Sequence, residues 1–326
     1  IGVLHLLVSF PTPVVADGPY VIEGYVQNGS ENSEMLLSGI EITLHQVGLG
    51  TEGSATVQTD DGGNYRFADV QLLPGVAYGV SVEYGGVLYG KDIDLESDLD
   101  VPVQMTVFDV TDSIEVISFD SLSVLFADVD KKLQRVAVLE SVVVENRSDT
   151  TYVPGRDPMS IVRFSLPPDA EGLSVSTDLL RTDVFQVDLG FGVTSSIPPG
   201  KHEILYSYSF PYETATYTFE KKVLYGAGVL RVMWDSELFE VAFKSEGDSE
   251  SVELGNRSYK LSESMELGRG AEITMDLLKL PEASGFDRMN SYLSSVPLQY
   301  VPPVVVAIVL LVVVPLIIFF RRRKAV

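Results

Sequence analysis

Ala55-Thr56-Val57-Gln58-Thr59-Asp60-Asp61-Gly62-Gly63-Asn64-Tyr65-Arg66-Phe67 is the stretch whose reading decides the fold. Two extended, β-favouring segments, Ala55–Thr59 and Tyr65–Phe67, flank five turn-forming residues. Gly and Asn accept positive φ, so residues 60–64 read as the turn of a β-hairpin. The same texture extends to either side. Ile40, Ile42 and Leu44 alternate with Glu41, Thr43 and His45; Tyr78, Val80, Val82 and Tyr84 alternate with Gly79, Ser81 and Glu83; Val101, Val103, Met105 and Val107 repeat the pattern. A period of two over five to eight residues predicts half-buried antiparallel strands, with no amphipathic helix among them. Tyr84-Gly85-Gly86-Val87-Leu88-Tyr89 predicts a second hairpin.

The order of these segments carries a resemblance. Val21-Ile22-Glu23-Gly24-Tyr25-Val26 is followed by Ser38-Gly39-Ile40-Glu41-Ile42-Thr43-Leu44, then by residues 59–67, then by Tyr78-Gly79-Val80-Ser81-Val82. Residues 20–108, within a first unit at 17–108, thereby resemble the carboxypeptidase regulatory-like domain, a transthyretin-like seven-stranded β-sandwich. Prealbumin-like and Cna B-type modules share much of the pattern. The resemblance implies a fold and brings no catalytic residues with it. Asp61-Gly62-Gly63 lengthens the turn relative to the family pattern.

Residues 109–235 read as a second β-sandwich, Ig-like in the broad sense. Its strand signals are Leu122/Val124/Phe126, Val136/Val138, Val142/Val144, Ile161–Phe164, Ile204/Tyr206/Tyr208/Phe210 and Leu230/Val232/Trp234, with Pro167-Pro168 and Pro198-Pro199-Gly200 as punctuation. This pairing of domains is similar to that of uncharacterised membrane-anchored bacterial proteins. Residues 236–281 read as a small third β unit or as closing strands of the second, the former slightly preferred. Residues 282–303, with Gly285, Ser294, Ser295, Pro297, Pro302 and Pro303, read as a stalk.

The ends point to a membrane. Residues 1–16 hold no charge and close on Val14-Val15-Ala16, as the remnant of a secretory signal peptide would; His5 inside this run receives no role. Val304–Phe320 is a seventeen-residue run without a charge, followed by Arg321, Arg322, Arg323 and Lys324. With Tyr300–Pro303 added it is long enough to cross a hydrocarbon core of about 30 Å, and the basic tail 321–326 predicts a cytoplasmic end. The expected protein is a single-pass type I membrane protein with an all-β extracytoplasmic part, at the cell surface or in the periplasm. The chain has 326 residues, 23 Lys+Arg and 46 Asp+Glu, for a net charge of −23. Four cations lie in the tail and residues 1–16 are uncharged, which leaves the exterior with 19 cations against 46 anions, a net of −27. That acidity argues against a nucleic-acid partner. The absence of cysteine removes thiol nucleophiles, cysteine zinc sites and disulfides.

No chemical motif stands out. His45 and His202 are isolated and match no zinc-ligand spacing. Asp60-Asp61-Gly62-Gly63-Asn64 fails the DxDxDG calcium pattern. Asp92, Asp94, Glu96, Asp98 and Asp100 form an alternating acidic ladder, read as a solvent-facing edge with Ile93, Leu95 and Leu99 turned inward, the other reading being a weak calcium face. Gly190-Phe191-Gly192 reads as a bulge or turn. Tyr206, Tyr208 and Phe210, with Tyr212, Tyr217, Phe219 and Tyr225, read as sandwich core, the other reading being a glycan or partner surface. Asn28, Asn146 and Asn256 head N-x-S sequons. There is no G-x-S-x-G, P-loop or dinucleotide fingerprint. The sequence therefore predicts no catalytic, cofactor-binding or metal-binding residue, and no cofactor. The expected function is non-catalytic binding or scaffolding, anchored to the lipid bilayer by one helix, with a protein or glycan partner; the alternative is an accessory subunit of a membrane transport or envelope-assembly complex.

Overall fold

The computed structural model describes residues 19–31, 33, 37–48, 50–95, 101–187, 189–244, 249–254 and 257–282. The signal remnant, all of the stalk after Glu282, the apolar run 304–320 and the basic tail lie outside the described residues, as do Glu96, Asp98 and Asp100 of the acidic ladder. Among the described residues the chain is all-β, and no helix is long and apolar enough to cross a membrane.

The first seven strands are β1 (Tyr20–Asn28), β2 (Glu41–Gly48), β3 (Thr51–Gln58), β4 (Asn64–Val70), β5 (Val76–Tyr84), β6 (Val87–Ile93) and β7 (Val103–Val107). They form a three-stranded sheet in the order β4-β1-β7 and a four-stranded sheet in the order β3-β2-β5-β6. Side chains from both sheets, among them Ile22, Val26, Phe67 and Met105 from one and Ile42, Leu44, Val80 and Val82 from the other, form a single buried cluster. This is the consequence of the period-two pattern: one face of each sheet is apolar and each covers the other. Gly24 is required where Tyr65 crosses β1, because a Cβ there would lie 2.0 Å from the Val103 carbonyl oxygen. The Tyr65 hydroxyl donates to that carbonyl at 2.7 Å, and burial pushes its pKa well above the ordinary tyrosine range.

The hairpin at Tyr84–Tyr89 forms as its glycines predict, with Gly85 and Gly86 at φ 59° and 79° and Tyr84 paired to Val87. The turn at 60–64 corrects the reading of a hairpin. β3 pairs with β2, whereas β4 pairs with β1, so residues 59–63 carry the chain from one sheet to the other. The turn chemistry is as expected locally. Asp60 Oδ1 accepts from the backbone N–H of Asn64 at 2.8 Å and of Gly62 at 2.9 Å, and these bonds, that to Asn64 first, hold its carboxyl below the usual range. Turn residues fix φ; they do not choose which strand the exiting segment pairs with.

The remaining strands are β8 (Val110–Thr111), β9 (Ile117–Asp130), β10 (Arg135–Asn146), β11 (Thr151–Tyr152), β12 (Val162–Ser165), β13 (Glu171–Thr177), β14 (Val184–Val187), β15 (Gly190–Val193), β16 (Gly200–Pro211), β17 (Thr216–Val223), β18 (Ala227–Asp235), β19 (Glu240–Phe243), β20 (Ser249–Leu254), β21 (Arg257–Leu267) and β22 (Ala271–Leu278). A seven-stranded sheet runs in the order β13-β16-β10-β9-β18-β21-β20. Two three-stranded sheets, β12-β15-β14 and β17-β22-β19, share one buried cluster with it. The valines at 136, 138, 142 and 144 lie on one continuous strand, β10. The strands of residues 236–281 have no sheet of their own: β20 and β21 extend the seven-stranded sheet, β19 and β22 pair beside β17, and Phe239, Ile273, Met275 and Leu277 belong to the same core as residues 117–234.

The two cores meet across polar contacts. Ser30 Oγ donates to the Asp149 carbonyl, the Glu31 N–H donates to the Asp149 carboxylate at 2.8 Å, Tyr89 and Thr151 hydroxyls bond at 2.8 Å, and Arg181 pairs with Glu83 at 3.1 Å.

Candidate functional site

The small sheet β12-β15-β14 has two unlike faces. Val162 and Phe164 on β12 and Phe191 and Val193 on β15 point inward and are buried. Phe164 stacks on Phe191 at 4.9 Å between centroids, and Phe191 meets Tyr206 edge-on at 4.8 Å. The opposite face is set by register: Arg163 lies opposite Gly192, which lies opposite Phe185, and Ser165 lies opposite Gly190, which lies opposite Val187. Gly190-Phe191-Gly192 is therefore a buried central strand, correcting the reading of a bulge or turn. Its glycines serve close approach: a Cβ on Gly190 would lie 2.2 Å from the Phe164 carbonyl oxygen, and one on Gly192 would lie 2.3 Å from Ile161 Cδ1.

Because the central strand carries no outward side chain, the outer face is a trough. Its volume is about 650 Å³. Phe185, Val187 and Leu189 form one wall and are 56%, 66% and 63% exposed. Ile161, Arg163, Ser165, Lys222 and Leu224 form the other. Exposed apolar side chains scattered singly are ordinary; a contiguous concave group of them marks a site of contact. β14 is also an edge strand, paired with β15 alone among the described residues.

The trough's far wall holds an uncommitted cation. Lys222 pairs with Glu272 at 3.0 Å. Arg163 has no carboxylate within ion-pair distance among the described residues; its guanidinium donates only to the Met159 sulfur at 3.4 Å, and its Nε is buried without a partner.

Directly beneath the sheet sits a polar cluster that sequence reading missed. Glu140 is fully buried on β10. Its Oε2 lies 2.7 Å from Lys221 Nζ and accepts from the Tyr206 hydroxyl at 2.7 Å, while Oε1 accepts from the Tyr208 hydroxyl at 2.7 Å. Lys221 Nζ also donates to the Ser165 carbonyl at 3.1 Å, and Ser165 Oγ exchanges bonds with the Lys222 backbone at 3.0 Å. The network ties β12 to β17. Burial first, and then the Glu140 charge, pushes both tyrosine hydroxyls far above their ordinary range. The signal was present in the sequence: Glu140 stands in the period-two series Val136, Val138, Val142, Val144, on the apolar face. With Glu140 fully buried and the Lys221 side chain 4% exposed, the cluster offers a substrate no access.

The residues weighed from sequence do not converge on chemistry. His45 is exposed and bonds Ser81 Oγ at 2.7 Å. His202 lies 3.5 Å from Asp178 at a cleft of about 430 Å³ between the two cores, lined also by Lys91, Gln104 and Thr106. Asp92 is exposed and Ile93 buried, as the ladder's alternation requires. Tyr206, Tyr208, Phe210, Tyr212, Phe219 and Tyr225 are buried, in agreement with the core reading, and Tyr217 is half-buried. Asn146 is buried and donates to the Thr150 and Ile197 carbonyls at 2.8 and 2.9 Å, so its amide belongs to the fold. Asn28 donates to Asp109 at 2.9 Å, and this bond holds the Asp109 carboxyl below the usual range. Asn256 lies outside the described residues. Among the described residues, no group of three or more His, Asp or Glu side chains is placed to hold a metal ion.

No protein-family model matches the chain, and no curated protein matches it. Among solved structures, an M1 zinc metallopeptidase from Deinococcus radiodurans is similar at 11% identity and a TM-score of 0.32, over 49% of this chain and 42% of that one. Leukotriene A4 hydrolase from Saccharomyces cerevisiae is similar at 8% identity and a TM-score of 0.33, over 50% of this chain and 29% of that one. The chain thus spans less than half the length of either, and similarity at this level defines neither its fold nor an activity.

Proposed function

We propose that this chain is a non-catalytic, membrane-anchored binding protein whose extracytoplasmic part captures a ligand in the trough of β12-β15-β14. One observation carries the reading: a contiguous apolar concavity stays open to solvent on an exterior with a net charge of −27. In such a chain an unused apolar surface invites aggregation without return. In this proposal the first unit is a transthyretin-like sandwich that spaces the second, Ig-like unit, residues 304–320 form the anchor, and residues 321–326 are cytoplasmic. The seven strands of the first unit, divided three and four, support the family resemblance. The fully buried Glu140 gives no support to an enzyme reading of its cluster.

The test is purification of the full chain from its native membrane in mild detergent, wild type beside Val187→Asp, with bound species identified by mass spectrometry. A species present at stoichiometric level with the wild type and lost with Val187→Asp is the expected result. Identical composition of the two preparations would remove the trough from the account. A stoichiometric protein that survives Val187→Asp but disappears when Val304–Phe320 is scrambled would instead support the accessory-subunit reading.

A further inference from the structure

We infer that the trough takes a single-chain aliphatic carboxylate, its head on Arg163 and its chain along Phe185, Val187 and Leu189. The inference rests on the binding reading above and names the ligand class of that site.

Three observations select this chemistry. The trough is apolar on one wall and carries on the other a guanidinium without a carboxylate among the described residues. Of the described Lys and Arg side chains that stand in no ion pair, Lys91, Lys131, Lys132, Arg156, Lys244 and Arg257 are exposed and Lys260 bonds Ser251, whereas Arg163 is half-buried with a nitrogen that has no partner. A half-buried guanidinium on the wall of an apolar trough, without a carboxylate among the described residues, suits an incoming anion. Nε is closed off, Nη1 meets only the Met159 sulfur and Nη2 has no bond, so the outer end of the guanidinium is left to pair with a carboxylate.

The floor decides between an aliphatic chain and a polypeptide. β15 is paired on both sides, with β12 and with β14, so its backbone has no free donors or acceptors to offer upward. A peptide lying in the trough would find no backbone partners for the N–H and C=O groups that face the floor. A hydrocarbon chain makes no such demand. A peptide added to the free edge of β14 would find partners there, but it would lie outside the trough, three strand spacings or roughly 14 Å from β12 and Arg163. The volume of about 650 Å³ is within the range of about 300–1,000 Å³ usual for small-ligand sites.

The experiment uses the full chain in nanodiscs of zwitterionic phosphatidylcholine, with decanoate carrying a diazirine at its chain end and the matching decanol as probes. After irradiation, adducts are mapped by peptide mass spectrometry. Decanoate is expected to label residues 185–189 saturably and at least about tenfold above decanol, the discrimination expected of a charge-assisted hydrogen bond. Arg163→Gln should bring decanoate down to the decanol level, and Arg163→Lys should restore part of the difference. Val187→Asp should abolish labelling by both. Equal trough labelling by decanoate and decanol, or undiminished decanoate labelling in Arg163→Gln, would overturn the carboxylate inference while leaving an apolar binding site standing. Absence of trough labelling by either probe would overturn the binding reading together with it.

Discussion

The two faces of the sheet β12-β15-β14 invert the usual arrangement of a protein. Beneath it, an ion pair and two tyrosine hydroxyls lie in the dry core; above it, Phe185, Val187 and Leu189 lie in water. The inner polar cluster is complete: each Glu140 oxygen has partners, and Lys221 reaches the Ser165 carbonyl. A complete buried network specifies one packing of β12 on β17 even where an apolar replacement would be as stable. The outer apolar group is incomplete, since nothing in the chain described covers it. The difference teaches that, among the described residues, folding finishes the inner face and leaves the outer face open.

Breaking the inner face should have the largest effect. Lys221→Met leaves Glu140 charged in the core, and a loss of about 3–5 kcal/mol in unfolding free energy is expected from urea denaturation. Removing both charges together with the two hydroxyls that Glu140 accepts from, in Glu140→Leu with Lys221→Met, Tyr206→Phe and Tyr208→Phe, should recover part of that loss. Glu140→Leu with Lys221→Met alone leaves the two buried hydroxyls without an acceptor. Equal stability of Lys221→Met and wild type would mean that the carboxylate is not held in a dry site.

Alkaline titration sharpens the same point with a smaller effect. Tyr206 and Tyr208 keep their protons in the fold well above the ordinary tyrosine pKa of 10.0, at which the unfolded chain releases them. Their contribution is therefore fully present below pH 10 and is lost as pH rises beyond it, by up to roughly 1.4 kcal/mol per pH unit for each. Denaturant midpoints measured between pH 9 and pH 11 should fall, and Tyr208→Phe should flatten that fall. A midpoint independent of pH in this range would contradict the burial of these hydroxyls.

The smallest effect is expected on the outer face. Val187→Asp alters a side chain that is 66% exposed, so its unfolding free energy should stay within about 0.5 kcal/mol of wild type. A large loss would show that Val187 serves the fold instead of a ligand.

Much of this molecule was legible in the chain. Period-two alternation located most of the strands, Gly85-Gly86 fixed a hairpin, and the Tyr206–Phe210 stripe read as core. What was not legible depended on pairing between distant segments. Asp60–Asn64 advertises a turn, but whether Tyr65–Phe67 returns to β3 or crosses to β1 is a tertiary choice. Gly190 and Gly192 read as irregular backbone because glycine usually marks it; here strand β12 comes too close for a Cβ. The trough draws on residues 159–165, 185–192 and 222–224, which no local pattern joins. Glu140 alone was within reach of sequence reading, as a carboxylate in a valine series, and its partners were not.

The chain has no cysteine, which allows the central claim to be tested one position at a time. Val187→Cys in the trough and Met265→Cys on an open strand, 66% and 65% exposed in the wild-type fold, are to be treated with a membrane-impermeant maleimide in intact cells and again after purification. The account predicts that both react after purification, and that in cells Met265→Cys reacts while Val187→Cys is protected by its ligand. Equal reaction of both in cells would contradict an occupied trough, and failure of Met265→Cys to react until the cells are broken would contradict an extracytoplasmic exterior.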